Sequence, residues 1–478
     1  MIMDNRNLAS RLFIMIVSML GAFNDNLIKA ALIVFAAMTV PAEQAAMVGL
    51  AAGALLMLPF ALFSGVAGAL ADKCEKSRII TVIKVVELGL ALTATAAMTL
   101  QNVPLVLGVV FLMGVQSTFF GPLKLGWIPE RLYPDQVLSA NGWLETLTFL
   151  GILGGTITGG LLAGPDTLAW AGYTAIVIAG CGIFAAKALP VGAPAAPDLK
   201  VPVNPARGAK AALAALWSDP ASRNAAFLES WFWAAGSIYI STLPAHLKSL
   251  MGADERVVTG VLALFCVGIA AGAVAASKLA KGQISGKLLL PSGIGLIAAT
   301  FGVNYGLSHL AQEETLGAAI QTPAGIVLVV SLFSVAMAGG VFSIPMKAMV
   351  QHRAPKERLA RTLAGMNILS ALSIFGASAL VAVALHFGMP VASVFGVVAV
   401  SAIAATIGAI IAFPQDSLKT VLRAVFRVWF RIEVKGAEHL NHKGPVVFVG
   451  NHVSFADGPL LASLIGADAA IAVNSQWA

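Results

Sequence analysis

Phe119-Phe120-Gly121-Pro122-Leu123-Lys124 and Phe342-Ser343-Ile344-Pro345-Met346-Lys347 write one pattern twice, F-x-x-P-x-K with Leu or Met before the lysine. A second echo follows each. Pro134-Asp135-Gln136-Val137-Leu138 trails the first copy, and Pro355-Lys356-Glu357-Arg358-Leu359 trails the second. The copies lie about 222 residues apart, each after the fourth apolar run of its half, and such ordered self-similarity marks one unit built twice. Two six-helix halves in parallel repeat form the architecture in which one bundle rocks against the other around a central site.

The composition agrees with a body of membrane helices. The chain is 58% hydrophobic and 11% charged, with mean hydropathy +0.87, whereas soluble domains carry about 25% charged residues. Apolar windows predict spans over 12–38, 44–70, 79–100, 103–122, 139–163 and 167–188. A second set covers 223–246, 256–280, 285–309, 324–346, 362–386 and 390–413, giving twelve transmembrane helices in two six-helix pseudo-repeats. Runs of about 20 apolar residues suit helices and exclude a β-barrel, whose strands are shorter and alternate. Residues 190–222 are rich in Pro and Ala, carry Lys200, Arg207 and Lys210, and read as a linker. The expected organisation is therefore 1–189, a first half; 190–222, a cytoplasmic linker; 223–414, a second half; and 415–478, a tail. Met1–Arg11 is polar and the first apolar run leads straight into others, which predicts a span and no cleavable leader. Cys74, Cys181 and Cys266 show neither metal nor disulfide spacing, and no cofactor or metal is implied.

Lys and Arg set the topology. One side collects Arg6 and Arg11, then Lys73, Lys76 and Arg78, then Lys124 and Arg131, and so on through Arg361, 20 of the 30 in all. The other side holds only Lys248 and Arg256. Both termini and the basic loops are then cytoplasmic, with Cys74 in a reducing compartment. The net charge of +7 needs no nucleic-acid partner, because positive-inside placement accounts for it.

Gly68-Ala69-Leu70-Ala71-Asp72-Lys73, with Lys76 and Arg78 beyond, lies between spans two and three. Small residues let helices approach closely, and an acid–base cluster at their ends can latch one conformation. The stretch resembles the G-x3-D-R/K loop motif of the major facilitator superfamily. That resemblance implies a conformational gate at Gly68, Asp72, Lys73 and Arg78 that stabilises an outward-open state. Glu75 and Ser77 stand where the motif commonly has basic residues, which predicts a weaker latch. Lys124 and Lys347 follow the matching prolines and read either as gate residues or as ordinary positive-inside anchors.

Inside the superfamily, Phe23-Asn24-Asp25-Asn26-Leu27-Ile28-Lys29 is similar to span one of bacterial lysophospholipid transporters. Phe120–Lys124, Leu138–Gly142 and Glu145 add to the resemblance, which covers roughly residues 10–413. It implies a lysophospholipid substrate, membrane lipids as partners and a bacterial inner-membrane location. Asp25 and Lys29 stand four apart on one helical face and can pair. A charge at mid-bilayer costs about 2.5–3.5 kcal/mol on insertion scales, so such residues are functional candidates. One reading sets Lys29 against a phosphate and Asp25 against an ammonium, with Asn24 and Asn26 beside them; the other is a neutralised pair that fastens span one. Glu229 and Trp231, on the seventh span, offer an acid and an aromatic surface for an amine and an acyl chain, or an interfacial aromatic belt. Lys84 and Glu87 read as a structural i,i+3 pair.

After the last span, Asp416–Arg431 spaces Lys419, Arg423, Arg427 and Arg431 four apart among apolar residues, an amphipathic helix expected on the anionic leaflet. Short strands are expected at Arg431–Gly436 and Val446–Val449. Gly450-Asn451-His452-Val453-Ser454-Phe455-Ala456-Asp457-Gly458 follows, with an H-x4-D spacing. This order resembles the start of the 1-acylglycerol-3-phosphate acyltransferase family, over about 417–478. The resemblance implies an α/β segment in which His452 is the general base toward the acceptor hydroxyl and Asp457 orients it. The family's later phosphate-binding motif does not occur within this chain, so the sequence predicts a truncated acyltransferase segment without activity. An acyl donor, an acyl-carrier-protein or coenzyme A thioester, is implied only for a complete domain. The functions expected are lysophosphatidylethanolamine-type flipping for reacylation, with proton-coupled drug or solute efflux and acyl transfer as alternatives.

Overall fold

The computed structural model describes residues 5–39, 42–251, 255–280, 283–310, 321–430, 432–435, 447 and 453–464. Every regular element among them is helical. The first half holds α1 (Asn5–Thr39), α2 (Ala42–Lys73), α3 (Lys76–Thr99), α4 (Val103–Arg131), α5 (Pro134–Leu161) and α6 (Leu168–Lys187). The short α7 (Pro205–Trp217) lies within the expected linker, opened by Pro205 and capped by Asn204, whose Oδ1 accepts the Ala206 N–H at 2.9 Å. The second half holds α8 (Pro220–Met251), α9 (Glu255–Ala280), α10 (Leu289–His309), α11 (Pro323–Arg353), α12 (Leu359–His386) and α13 (Val391–Ala412). The tail adds α14 (Pro414–Trp429) and α15 (Asp457–Leu464).

Eleven of these helices are long and apolar enough to cross a membrane. Of the helices at the twelve expected spans, the one outside that set is α8, 32 residues long, whose Asn224, Glu229 and Ser230 and whose indole and phenol groups lower its hydropathy. The expected strand at 431–436 is not seen among its described residues: 432–435 have no regular structure, and the rest of that stretch lies outside the described set. His452 and most of 446–449 lie outside it as well.

Close helix approach is built from glycine. Gly151, Gly155 and Gly159 recur every four residues along α5 and lie against the α1 backbone at Met19, Phe23 and Leu27, where any Cβ would overlap a main-chain carbonyl. Within a bilayer, where hydrophobic burial gives helices little mutual attraction, such small-residue stripes let dispersion and weak C–H···O contacts hold the pair.

The halves meet at one end, the end of the basic loops. There α2 crosses α12 and α5 crosses α9, with Gly68 against Ala360 and Ala364, and Gly142 against Ala273 and Ser277. The linker helix α7 packs on both members of the first crossing, Gly208 against Gly65 of α2 and Ala212 against Gly365 of α12.

Candidate functional site

The G-x3-D stretch forms a contact between the halves. An added Cβ on Gly68 would lie 2.6 Å from the Ala364 Cβ and 2.8 Å from the Ala360 carbonyl, so only glycine permits this approach. One turn on, the buried Asp72 accepts the Ala360 N–H at 2.8 Å and the Arg361 Nε–H at 2.8 Å. These donors open α12, whose own N-cap position supplies no side-chain bond. Asp72 therefore caps a helix of the opposite half, where unsatisfied N–H groups favour a carboxylate. Lys73 and Arg78 are not part of this cluster; Arg78 is exposed, and its backbone N–H donates to Glu75 Oε2 at 2.7 Å. Glu75, at a position the motif commonly gives to a base, caps α3 and accepts the Gly192 N–H at 3.0 Å.

Buried charged residues also cluster deeper in both halves. In the first half Lys84 Nζ sits 2.6 Å from Glu87 Oε2, the two residues being 0% and 1% exposed, as their i,i+3 spacing foretold. Asn24 Nδ2 donates to Glu87 Oε1 at 3.0 Å, and Gln116 Nε2 to Glu87 Oε2 at 3.1 Å. This ties α1, α3 and α4 together, and Asn24 also reaches the Ala175 carbonyl of α6 at 3.2 Å. Asp25 accepts from Ser117 Oγ of α4 at 2.5 Å, and its Oδ1 is buried with no hydrogen-bond donor among the described residues. The expected Asp25–Lys29 ion pair is not among the described contacts; the described hydrogen-bond partner of Asp25 is Ser117. Asn26 turns back on its own helix, bonding the Ala22 carbonyl at 2.8 Å.

In the second half Glu229 Oε1 accepts from Trp233 Nε1 at 2.8 Å and Ser343 Oγ at 3.0 Å, while Oε2 is buried with no described donor. Trp233, one turn along α8, is thus the indole on the acid. Trp231 instead packs edge-on to Phe342 and donates to Ser401 Oγ at 3.2 Å. Lys347 of α11 lies 2.8 Å from Glu145 of α5, 3.4 Å from Glu229 and 5.1 Å from the Trp233 ring centroid. Its counterpart Lys124 rests over Phe120 at 5.6 Å, within electrostatic reach of Glu145. Gln351, one turn past Lys347, bonds Asn141 of α5 and the Leu125 carbonyl of α4, the latter at 2.8 Å. Sequence reading missed Gln116, Ser117, Gln351 and Arg361. The polar i+4 step from Lys347 to Gln351 was the available signal.

In the tail, Asp457 opens α15 and accepts the N–H groups of Val453 at 2.6 Å and Ser454 at 2.7 Å. This turn orients the Asp of the H-x4-D pattern; His452 lies outside the described residues.

Two helical halves joined across a buried charged seam define a multi-pass membrane protein. Residues 12–378 match the family model of the Major Facilitator Superfamily, and the chain belongs to that superfamily. It is similar to the "Lysophospholipid transporter LplT" of Salmonella gallinarum, 29% identical over 302 residues, 62% of this chain and 69% of that protein. The protein of the same name from Salmonella newport gives the same figures, 29% over 302 residues. Solved structures share the fold: the human organic anion transporter MFSD10 at TM-score 0.65 and 14% identity, over 85% of this chain and 99% of that one. A bacterial homologue of the iron transporter ferroportin, in an outward-facing state, gives TM-score 0.61 at 16% identity, over 86% and 99%.

Proposed function

We propose that the chain is a lysophospholipid flippase. It moves lysophosphatidylethanolamine-type lipids across the bacterial inner membrane by alternating access, for reacylation on the cytoplasmic side. The observation that carries this reading is the pair of carboxylates Asp25 and Glu229. They stand on α1 and α8, the repeat-related first helices of the two halves, and each has one buried oxygen with no described donor. An ammonium headgroup supplies donors of the right charge, and the aromatic groups beside Glu229 suit an acyl chain. The 29% identity to a lysophospholipid transporter supports the same substrate class.

In this reading α8 is the twelfth span, since 32 residues of helix extend about 48 Å. The Lys and Arg excess supports a cytoplasmic position for the basic loops and both termini. The Asp72–Arg361 and Lys347–Glu145 contacts then close the cytoplasmic end, and the state described is outward-facing. Gly68, Asp72, Lys124 and Lys347 act as gate residues. The domain division at 189, 222 and 414 follows the two halves, with α7 as part of the linker. The tail is read as the opening of an acyl-transfer segment, on its H-x4-D pattern and the Asp457 turn.

The test is headgroup-resolved translocation of lysophosphatidylethanolamine in proteoliposomes, parent beside Asp25→Asn. Transport by the parent that falls at least tenfold in the variant, without response to a proton uncoupler, is the expected result. A folded parent that moves no lysolipid overturns the reading; uncoupler-sensitive export of small solutes replaces it with proton-coupled efflux.

A further inference from the structure

The helix α14 opens at Pro414, two residues after α13 closes at Ala412, so it begins where the chain leaves the bilayer. Its residues sort onto two faces. Leu418, Val421, Val425, Val428 and Trp429 recur at helical spacing and are all exposed, forming one apolar stripe along the helix. On the opposite face Lys419 and Phe426 are buried, and Arg423 donates to the Ser463 carbonyl of α15. The same face is fastened to the turn before α10: Asp416 Oδ2 accepts the Gly286 N–H at 2.7 Å, and Thr420 Oγ1 donates to the Lys287 carbonyl at 3.2 Å. Sequence alone placed the basic residues on anionic lipid. The structure turns Lys419 and Arg423 toward protein and leaves the apolar stripe outward.

The occupant of that stripe follows from its neighbour. The outward face of α13, at Ile403, Ile407, Ile410 and Ile411, is exposed and apolar on a helix long enough to span. The α14 stripe begins at Leu418, seven residues after the last residue of that face, Ile411. An exposed apolar patch of this kind marks an interaction surface, and the adjoining apolar phase is the bilayer. We infer that α14 is an interfacial helix whose apolar stripe enters the boundary between headgroups and acyl chains. It is held there by hydrocarbon contact, with no requirement for anionic lipid. Its depth is about 5–10 Å, as for other helices of this type. Because α15 is docked on the polar face of α14, the turn that holds Asp457 is carried at the same membrane surface.

The experiment uses the full chain in nanodiscs, with Cys74, Cys181 and Cys266 replaced. Spin labels go on Leu418→Cys, Val425→Cys and Val428→Cys, and relaxation by oxygen is compared with relaxation by a water-soluble nickel chelate. The expected result is oxygen access several-fold above chelate access at all three sites, equal in phosphatidylcholine alone and with anionic lipid added. Chelate access at or above oxygen access overturns the inference. So does protection from both reagents, which indicates a protein cover, or insertion seen only with anionic lipid. An independent measurement needs no cysteine: brominated lipid quenches the parent's fluorescence more than that of Trp429→Phe if Trp429 is inserted, and equally if it is not.

Discussion

Lys347 reaches across the boundary between the halves, its Nζ 2.8 Å from Glu145 Oε2 on α5 and 3.4 Å from Glu229 Oε1 on α8. Only the first of these bonds joins the two halves; the second is internal to the second half. If the halves part, Lys347 keeps Glu229, and Glu145 comes to rely on Lys124 of its own half. Opening then leaves no charge alone, which matters because an uncompensated buried charge costs about 3–5 kcal/mol. Glu145→Gln is expected to fold with near-parental thermal stability while the basic-loop end opens more often. A cysteine at Gln351, buried in the closed end, reports it: maleimide labelling rises several-fold in Glu145→Gln. Lys347→Met leaves two carboxylates facing each other, and its melting temperature falls sharply. Equal labelling in Glu145→Gln and parent removes Glu145 from the gate.

Gly68 and Asp72 make the neighbouring contact, and they fail in different ways. Gly68→Val puts a branched side chain where even a Cβ would lie 2.6 Å from Ala364, and overpacking of this kind costs about 1–3 kcal/mol. The halves relieve it by separating, so the folded protein survives with its closed state depleted. Asp72→Asn keeps the shape and loses the charge. Hydrogen bonds to charged groups contribute about 1.5–3 kcal/mol, so it too favours opening, without a clash. Both variants are expected to raise labelling at Gln351→Cys. Paired with Arg361→Gln, Asp72→Asn is expected to raise labelling by less than the sum of the two single changes, since both act on the Asp72–Arg361 bond, whereas Gly68→Val is expected to add in full.

The membrane helices were legible because a span must be long, apolar and self-satisfied in hydrogen bonding. Partners across helices were not, since helical spacing reports which residues share a face and nothing about the neighbour. Asp25 and Lys29 share a face, yet Ser117 on α4 holds Asp25. Lys84 and Glu87 share a face and do pair, Nζ 2.6 Å from Oε2. The G-x3-D stretch made Asp72 a candidate for a contact, but its partner Arg361 lies 289 residues away in sequence. Glu229 was read with Trp231, two residues on; the i+4 rule points to Trp233, which is the residue that bonds it. The Pro and Ala content of 190–222 read as a linker, and Asn204-Pro205 before an alanine-rich run within it is itself a helix start.

Outside the membrane, Asp219 precedes α8 and takes a bidentate bond from Arg353, at 2.7 and 2.9 Å. The guanidinium, aided by Ser222, holds its carboxyl well below the usual carboxylate range. A depressed folded value means the bond stabilises fully above the unfolded value, near pH 4, and is lost as pH falls through the folded value. Arg353 is 48% exposed, so screening limits the contribution to roughly 0.5–1 kcal/mol. Asp219→Asn is expected to melt slightly lower than the parent from pH 8 to pH 5, with the gap closing only in strong acid. A gap that closes near pH 6 instead assigns the effect to another group.

The Lys84–Glu87 pair tests whether the first-half network is scaffold or substrate site. Both residues are buried, and Glu87 also takes bonds from Asn24 and Gln116. The surrounding glycines leave room for the lysine alone: a Cβ on Gly21 would sit 2.6 Å from Lys84 Nζ. Removing one partner strands the other charge, so Lys84→Met is expected to lose about 3–5 kcal/mol. Replacing both charges by apolar groups of similar volume relieves that penalty, since a buried pair contributes little beyond its own desolvation. The double variant Lys84→Met/Glu87→Leu leaves only the Asn24 and Gln116 amides to rehydrate or repack. It is expected to recover a large part of the loss, with a coupling energy within the 0.5–3 kcal/mol typical of contacting residues. Lysolipid binding measured on the same variants separates the roles. Recovery of stability with parental affinity makes the pair scaffold for Asp25. Recovery of stability with affinity lost puts Lys84 or Glu87 in contact with the headgroup.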